Sequence, residues 1–244
     1  MNIPALIAQI QKKKSMLCVG LDTVVDRLPQ GFERNARGML AFNREIIEAT
    51  KDIAVSYKVN TAFYEAMGKE GWDLLEQTRA ILPDHCFNIA DAKRGDIGNT
   101  STMYAKAFFE HLDFDGLTVA PYMGRDSIQP FLEFKDKVTI VLGLTSNKGS
   151  EDFQTRAGIH PPLYQSVLQT VSQWGSSDQL MFVVGATKAE KLEIVLQSLE
   201  ENQTVKSLAE RFGVSENTIY NWRSIYAKNE ESSFPGKGNK TMSD

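Results

Sequence analysis

The residues from 88 to 101 hold the most chemically suggestive side chains of the chain. A short apolar run ends there in Asp91 and Lys93, and Asp96 follows shortly after. Residues two apart on a strand point to the same face, so the carboxylate of Asp91 and the ammonium of Lys93 would lie side by side, with Asp96 in the next loop. Fixed charges can stabilise a charge that develops in a transition state, and a lysine can also deliver a proton.

Lys58 ends an earlier apolar run in a similar way. If both runs are parallel strands, their carboxyl ends lie at the same edge of the sheet, and two lysines and two aspartates would meet there. This arrangement predicts an acid–base or electrostatic site. A solvated network of salt bridges remains an alternative, because ion pairs also shift pKa values without any catalytic role.

The elements that must position these charges recur along the first three quarters of the chain. Six apolar runs have the length of buried strands: residues 16–22, 53–60, 86–92, 116–121, 138–145 and 180–187. Amphipathic stretches with helical spacing lie between them, including residues 39–51, 71–80 and 103–111. This alternation predicts an α/β fold of the (β/α)8 barrel type, and a doubly wound open sheet stays open as the alternative.

The strand pattern stops after Thr187. The remaining residues are predicted to form helices, with apolar stripes over 192–199, 205–212 and 219–226. Gly213 provides a turn and Ser215 an N-cap between the last two. We therefore predict a barrel truncated after strand six (residues 1–188), an all-α helix-turn-helix segment (189–228) and a disordered tail (229–244).

Composition narrows the class of protein. The net charge is -4 and 24% of residues are charged, which gives no general attraction to nucleic acid or to an anionic membrane. No apolar run approaches the roughly 20 residues of a membrane span. Cys18 and Cys86 lie in predicted buried strands, which indicates free thiols in a cytoplasmic protein. The three histidines share no metal-ligand spacing, so we expect no metal site.

The motif Asp91-x-Lys93-x-x-Asp96 resembles the signature of the orotidine 5'-monophosphate decarboxylases, bacterial branch. Six further segments agree with that family, in family order, over residues 1 to about 188: GLD (20–22), SYKVN (56–60), FYEAMGKEG (63–71), APYMG (120–124), LTSNKG (144–149) and FVVGAT (182–187). Several ordered motifs are far more specific than one short pattern. The resemblance implies conversion of orotidine 5'-monophosphate to uridine 5'-monophosphate and carbon dioxide, without a cofactor.

The resemblance also assigns roles. Lys58, Asp91, Lys93 and Asp96 match the charged catalytic set of the family, with Lys93 as the proton donor at C6 of the pyrimidine. Asp91 would hold Lys93 protonated and lie near the substrate carboxylate. The second aspartate of the family's motif reaches the neighbouring subunit, so Asp96 implies a homodimer.

Three further residues are expected to bind substrate, each with a structural alternative. Asp22 matches a ribose-hydroxyl ligand, or it caps a helix. Thr100 matches a residue that reaches the partner's ribose, or it is a helix N-cap. Ser146 matches a serine that contacts the pyrimidine, or it is a turn residue beside Asn147.

The family's glycine-rich loop and arginine that grip the substrate phosphate have no counterpart after Thr187. Phosphate binding uses backbone N–H groups and a guanidinium in fixed geometry. We therefore expect impaired turnover, because binding energy from a remote group also lowers the barrier to reaction. The first and sixth strands would also be left as open edges.

The C-terminal segment resembles the helix-turn-helix of insertion-sequence transposases through SLAERFGVS (207–215) and FPGKG (234–238). Asn217, Tyr220 and Arg223 would face DNA from the second helix. Residues 189–244 hold seven basic and nine acidic side chains, so DNA binding would be weak. An inactive chimera with this DNA-binding segment, and a pseudoenzyme or artefact of sequence assembly, are the alternatives to an active decarboxylase.

Overall fold

The computed structural model describes residues 1–156, 161–185, 198 and 204–229. It divides into two compact units. The first is Met1–Gly143 with Gln165–Val183, and the second is Leu144–Tyr164 with Val184–Asp244. The predicted helix over 192–199 falls almost wholly, and the tail after 229 entirely, outside the described residues.

Strands and helices alternate along the described chain. The strands are β1 (Cys18–Gly20), β2 (Ser56–Asn60), β3 (Phe87–Arg94), β4 (Gly116–Val119), β5 (Val138–Leu144) and β6 (Leu180–Val184). The helices are α1 (Ile3–Lys13), α2 (Ala36–Thr50), α3 (Ala62–Glu65), α4 (Lys69–Ile81), α5 (Gly98–Ala105), α6 (Arg125–Leu132), α7 (Leu163–Val171), α8 (Val205–Phe212) and α9 (Glu216–Asn229). A π-helical turn (Lys106–His111) continues α5, and 3-10 turns cover Val25–Arg27 and Lys148–Asp152.

The six predicted strands are confirmed. The structure corrects one helix, because the stretch predicted over 103–111 begins earlier, at Gly98, and ends in the π-helical turn. The described chain opens with α1, in which the Asn2 side chain accepts a hydrogen bond from the amide of Ala5 (3.0 Å) and Lys14 ends the helix with φ 50°.

The strands lie in the sheet in their sequence order, from β1 to β6, and β1 to β5 pair in parallel. A doubly wound sheet would reverse its strand order at a switch point. The described sheet has no such reversal, so the doubly wound alternative was wrong. Neighbouring strands that follow one another in sequence are the order expected of a (β/α) barrel.

The two faces of the sheet have different neighbours. Tyr57 and Val59, fully buried, belong to the core that packs against the helices. Phe87 and Ile89, on the opposite face, form a second apolar cluster with Leu6 of α1. Because side chains alternate along a strand, the face that holds Phe87 and Ile89 continues to the charged residues at the carboxyl end of β3.

One expectation about the sheet was wrong. Cys18 was predicted to be buried, but it is exposed, whereas Cys86 is buried as predicted. Cys18 lies in β1, which pairs only with β2 among the described residues, so the outer edge of β1 is uncovered there. Both cysteines are free thiols.

A buried polar chain holds the loop after β1 against α2. The hydroxyl of Thr23 donates to the side-chain carbonyl of Asn43 (2.6 Å), and the Asn43 amide donates to the hydroxyl of Tyr64 (3.0 Å). Asn43 and Tyr64 are fully buried, and burial raises the pKa of Tyr64 to about 12. Because a buried polar group must keep its partners, these hydrogen bonds from Thr23 through Asn43 to Tyr64 fix the backbone next to Asp22.

The second unit contains the predicted C-terminal helices α8 and α9. Gly213 ends α8 with φ 64°, and the Ser215 hydroxyl accepts a hydrogen bond from the amide of Thr218 (3.1 Å). Leu208 and Ile219 are buried between these two helices. In the part of the chain that the structure describes, no helix is long and apolar enough to cross a membrane.

Candidate active site

Four charged side chains meet at the carboxyl ends of β1, β2 and β3. The Lys58 ammonium donates to Asp22 Oδ1 at 3.2 Å and to Asp91 Oδ2 at 3.3 Å. The Lys93 ammonium donates to Asp91 Oδ1 at 2.6 Å. The charges therefore alternate along one row, in the order Asp22, Lys58, Asp91, Lys93. The sequence predicted two lysines and two aspartates here; within one chain the row holds Asp22 beside Asp91, and Asp96 makes no described contact with either lysine.

Burial and pairing act in opposite directions on the ionisation of this row. Burial alone would raise the pKa of Asp91, but the hydrogen bond from Lys93 and the charges of Lys58 and Lys93 lower it below its usual value. Burial would likewise lower the pKa of Lys58, but the charges of Asp91 and Asp22 raise it. Asp91 and Lys58 are therefore held in their charged forms.

Lys93 lies in an irregular part of β3. Ala90 pairs with Leu117 and Arg94 pairs with Val119, so three residues of β3 face a single residue of β4. This bulge places Lys93 at φ 50°, a left-handed conformation that is uncommon for residues other than glycine. Strained backbone of this kind is concentrated at functional sites, and here it turns the Lys93 side chain, which is half exposed, along the row of charges.

Thr118 of β4 fills the space opposite the bulge. Its hydroxyl accepts a hydrogen bond from the amide of Lys93 (2.9 Å) and donates one to Asp91 Oδ1 (2.9 Å). Thr118 is 3% exposed. Sequence reasoning did not identify it, because a single threonine inside an apolar run looks like an ordinary strand residue.

Arg94 anchors the strand immediately after Lys93. Its guanidinium pairs with Glu65 and lies over the rings of Tyr104 (5.4 Å) and Phe108 (5.3 Å). These ion-pair and cation–π contacts fix the end of β3 against two helical segments. Arg94 was not among the predicted site residues, although its place directly after Lys93 in the motif was a signal.

Asp96 and Thr100 lie beside the row but outside its described contacts. The Asp96 carboxylate accepts a hydrogen bond from the amide of Ile97 (2.8 Å), and the Asp96 amide donates to Ser101 Oγ (3.2 Å). Thr100 is exposed within α5, whose N-cap is Ile97, so the alternative role of Thr100 as an N-cap was wrong. The alternative role of Asp22 as a cap was also wrong, since its carboxylate pairs with Lys58.

Ser146 belongs to the second unit and is exposed in the loop after β5. Thr145 holds this loop: its amide donates to Gln154 Oε1 (2.7 Å) and its hydroxyl to Asn147 Oδ1 (2.6 Å). Gly185 lies so close to the loop that a Cβ there would come within 2.9 Å of the Ser146 amide nitrogen. A glycine is therefore needed at position 185 to keep the loop conformation.

The three residues expected to face DNA lie on α9. Asn217 is exposed, and the side chain of Tyr220 is 51% exposed. Arg223 is half-buried, and its guanidinium lies 6.0 Å from the centre of the Tyr220 ring. These positions belong to the second of two helices that are joined at Gly213.

The arrangement suits one kind of chemistry. A row of alternating fixed charges at the mouth of a parallel sheet can stabilise a developing anion and supply a proton to it. Within the described ranges, no group of three or more His, Cys, Asp or Glu side chains is placed to hold a metal ion. Fold and site together define an α/β-barrel enzyme of the acid–base type.

Comparison with known proteins gives the family. Residues 15–218 match the orotidine 5'-phosphate decarboxylase / HUMPS family, and the chain belongs to it. It is 53% identical to the orotidine 5'-phosphate decarboxylase of Christiangramia forsetii over 206 residues, which are 83% of this chain and 75% of that protein. It is 50% identical to that of Bacteroides fragilis over 198 residues, 79% of this chain and 72% of the relative.

A solved structure supports the same assignment. The OMP decarboxylase of Leishmania donovani superposes with a TM-score of 0.69 at 36% identity, over 80% of this chain and 74% of that one. This likeness establishes the barrel-type fold that the strand order indicated. The enzyme class is that of a carboxy-lyase.

The comparisons correct the predicted boundary at residue 188. The family match continues to residue 218, through α8 and into the first turn of α9. A separate transposase-like unit that begins at residue 189 is therefore not supported.

Proposed function

We propose that this chain converts orotidine 5'-monophosphate to uridine 5'-monophosphate and carbon dioxide with the row of charges formed by Asp22, Lys58, Asp91 and Lys93. The observation that carries this proposal is the contact of Asp91 with both lysines, at 3.3 and 2.6 Å, at the carboxyl end of the sheet. The family match and the named relatives supply the substrate.

In the proposed reaction, the bond between C6 of the pyrimidine and its carboxylate breaks, and the electron pair stays on C6 as carbon dioxide leaves. The Lys93 ammonium attracts this developing negative charge and then donates its proton to C6. Lys93 regains a proton from solvent, which its half-exposed side chain can reach. The scheme requires no cofactor.

Asp91 and Lys58 set up this step. Asp91 accepts from both lysines, so it orients the Lys93 ammonium. Lys58 neutralises part of the negative charge between Asp91 and Asp22. Asp22 is 42% exposed at its side chain, which leaves a carboxylate oxygen accessible to a ribose hydroxyl.

The direct test follows the ultraviolet absorbance of orotidine 5'-monophosphate with the purified chain, and identifies uridine 5'-monophosphate by chromatography. We expect consumption of substrate above the protein-free rate, with one product formed per substrate lost. Consumption at the protein-free rate would contradict the proposed activity.

We further propose that the active form is a homodimer, in which Asp96 and Thr100 complete the partner's site. Neither side chain makes a described contact with the lysines of its own chain, and the neighbouring Ile97 is 59% exposed. Because Ile97 and Thr100 are both exposed, this loop is accessible to a partner subunit.

Subunit complementation tests this dimer. We expect Lys93→Ala and Asp96→Asn each to be inactive alone, because each lacks one group in every site. Mixed dimers would contain one complete site, so an equal mixture after subunit exchange should recover about one quarter of the unsubstituted activity. Sedimentation would verify exchange, and no recovery in verified mixed dimers would contradict a shared site.

The proposed activity is slow. No glycine-rich phosphate loop or following arginine is evident in residues 188–244, and we propose on this ground that the substrate phosphate is bound weakly. Weak phosphate binding raises KM and also lowers kcat, because binding energy normally assists the chemical step.

We also propose a cytoplasmic location for the protein, since both of its cysteines are free thiols and disulfides are rare in the reducing cytoplasm.

DNA binding by α8 and α9 is a second candidate. It is favoured by the tight turn at Gly213 and by the exposure of Asn217 and Tyr220 on α9. If Arg223 also contacts phosphate, a labelled duplex should shift at low salt and lose its shift as salt increases. No shift at low salt would exclude this candidate, and the decarboxylase would be left as the single proposal.

A further inference from the structure

The bulge in β3 leaves the backbone of Lys93 without a regular strand partner. Asp91, Ala92 and Lys93 face only Thr118, because the register advances four residues on β3 and two on β4. A bulge interrupts the ladder of backbone hydrogen bonds, so the amide of Lys93 needs another acceptor. The Thr118 hydroxyl is that acceptor, at 2.9 Å.

The same hydroxyl also reaches the carboxylate that holds the Lys93 ammonium. Thr118 Oγ1 donates to Asp91 Oδ1 at 2.9 Å, and the Lys93 ammonium donates to that same oxygen at 2.6 Å. One buried hydroxyl therefore ties the backbone of Lys93 to the carboxylate that orients its side chain. These three hydrogen bonds form a ring, which the side chain of Lys93 closes between its backbone amide and its ammonium group.

We propose that Thr118 is a positioning residue for the decarboxylation, which fixes the backbone of Lys93 and the carboxylate of Asp91 relative to each other. It acts through these two residues and does not itself react. This inference rests on the proposed roles of Asp91 and Lys93. Its physical basis is that a small displacement of a catalytic group can cost about a hundredfold in rate.

A hydroxyl is needed at this position because it must accept one hydrogen bond and donate another. Valine has nearly the same shape but can do neither, whereas serine can do both. In Thr118→Val, the amide of Lys93 loses its acceptor, and with it a contact that holds the left-handed φ of 50° against relaxation toward ordinary strand values. In Thr118→Ser, both hydrogen bonds can be kept.

Loss of the Thr118 hydroxyl should also change the pH dependence of the reaction. Asp91 is faced by Lys58 from β2, by Lys93 on its own strand and by Thr118 from β4, and Asp22 lies beyond Lys58. The hydrogen bond from Thr118 contributes to the lowered pKa of Asp91. Its loss raises that pKa, so Asp91 becomes protonated at a higher pH, and the acid limb of kcat/KM shifts upward.

The experiment compares Thr118→Val, Thr118→Ser and Thr139→Val in the full chain. Thr139 is a matched control because it is a buried threonine on β5, 1% exposed, whose hydroxyl has no hydrogen-bond partner among the described residues. We expect Thr118→Val to lower kcat by about 10- to 100-fold with KM changed less than about threefold. Thr118→Ser and Thr139→Val should both stay within about threefold of the unsubstituted chain.

Amide hydrogen exchange of Lys93 gives a readout that does not depend on turnover. Thr118→Val should speed exchange of this amide by at least about tenfold, while the Leu117 amide keeps its protection. Thr118→Ser should keep both slow. An unchanged Lys93 amide in Thr118→Val, or a valine variant with unchanged kcat and acid limb, would overturn the proposal, as would a failure of serine to restore them.

These outcomes separate the inference from the proposed function. If the unsubstituted chain consumes no orotidine 5'-monophosphate, the decarboxylase proposal fails. The ring of contacts is then judged by the Lys93 amide, together with the pKa of Asp91 from carboxyl NMR, which Thr118→Val should raise and Thr118→Ser should not. If the unsubstituted chain is active and Thr118→Val is as active as the control Thr139→Val, the positioning role fails and the decarboxylase proposal stands.

Discussion

Replacement of Lys93 by alanine is expected to lower kcat for orotidine 5'-monophosphate by about ten-thousandfold or more. The substitution removes the proposed proton donor, a loss of about 10²- to 10⁴-fold for general acid catalysis, and also a preorganised positive charge at the proposed carbanion, a further loss of about 10²- to 10³-fold. The measurement is the decline of substrate absorbance at saturating concentration. Binding of uridine 5'-monophosphate should change much less, because Lys93 contributes mainly in the transition state.

Two further variants make this result specific. Lys106→Ala removes an exposed lysine from the π-helical turn and should leave kcat within about twofold. Lys93→Arg keeps the positive charge but has a pKa too high for ready proton transfer, so it should remain severely impaired. A Lys93→Ala variant as active as Lys106→Ala would mean that Lys93 is not the proton donor.

Exchange of residues 189–244 for the corresponding C-terminal part of the Christiangramia forsetii relative is expected to raise kcat/KM by about a thousandfold or more. The exchange would introduce the phosphate-binding segment of that relative, and a fixed guanidinium with backbone N–H groups binds a phosphate dianion strongly. Both kcat and KM should improve, since binding at the phosphate also assists reaction at C6. Steady-state kinetics on the purified chimera measure the two constants.

The nucleoside orotidine, which has no phosphate, distinguishes the cause of the gain. If phosphate binding is responsible, the chimera should gain on orotidine 5'-monophosphate and change little on orotidine. An equal gain on both substrates would indicate that the exchange improves the fold in general and does not act through phosphate binding. Lys93→Ala in the chimera should abolish the gain, which verifies that the same site is in use.

The C-terminal residues show where local patterns mislead. The stripe Val205, Leu208 and Phe212, the turn at Gly213 and the cap at Ser215 correctly predicted α8 and the start of α9. The same pattern suggested a transposase-like unit from residue 189, but the family match continues to residue 218. Helical periodicity reports only that one face of a helix is apolar, and many unrelated helix pairs share that property.

The sequence by itself determined the six strands and the motif that places Asp91 and Lys93 at a strand end, because the alternation of side chains along a strand is a local property. Only the tertiary structure decided the strand order, the bulge that gives Lys93 its positive φ, and the place of Thr118 opposite that bulge. It also selected Asp22 rather than Asp96 as the second partner of the lysines within one chain. Strand order, register and bulges depend on pairing between residues far apart in sequence, which no local pattern records.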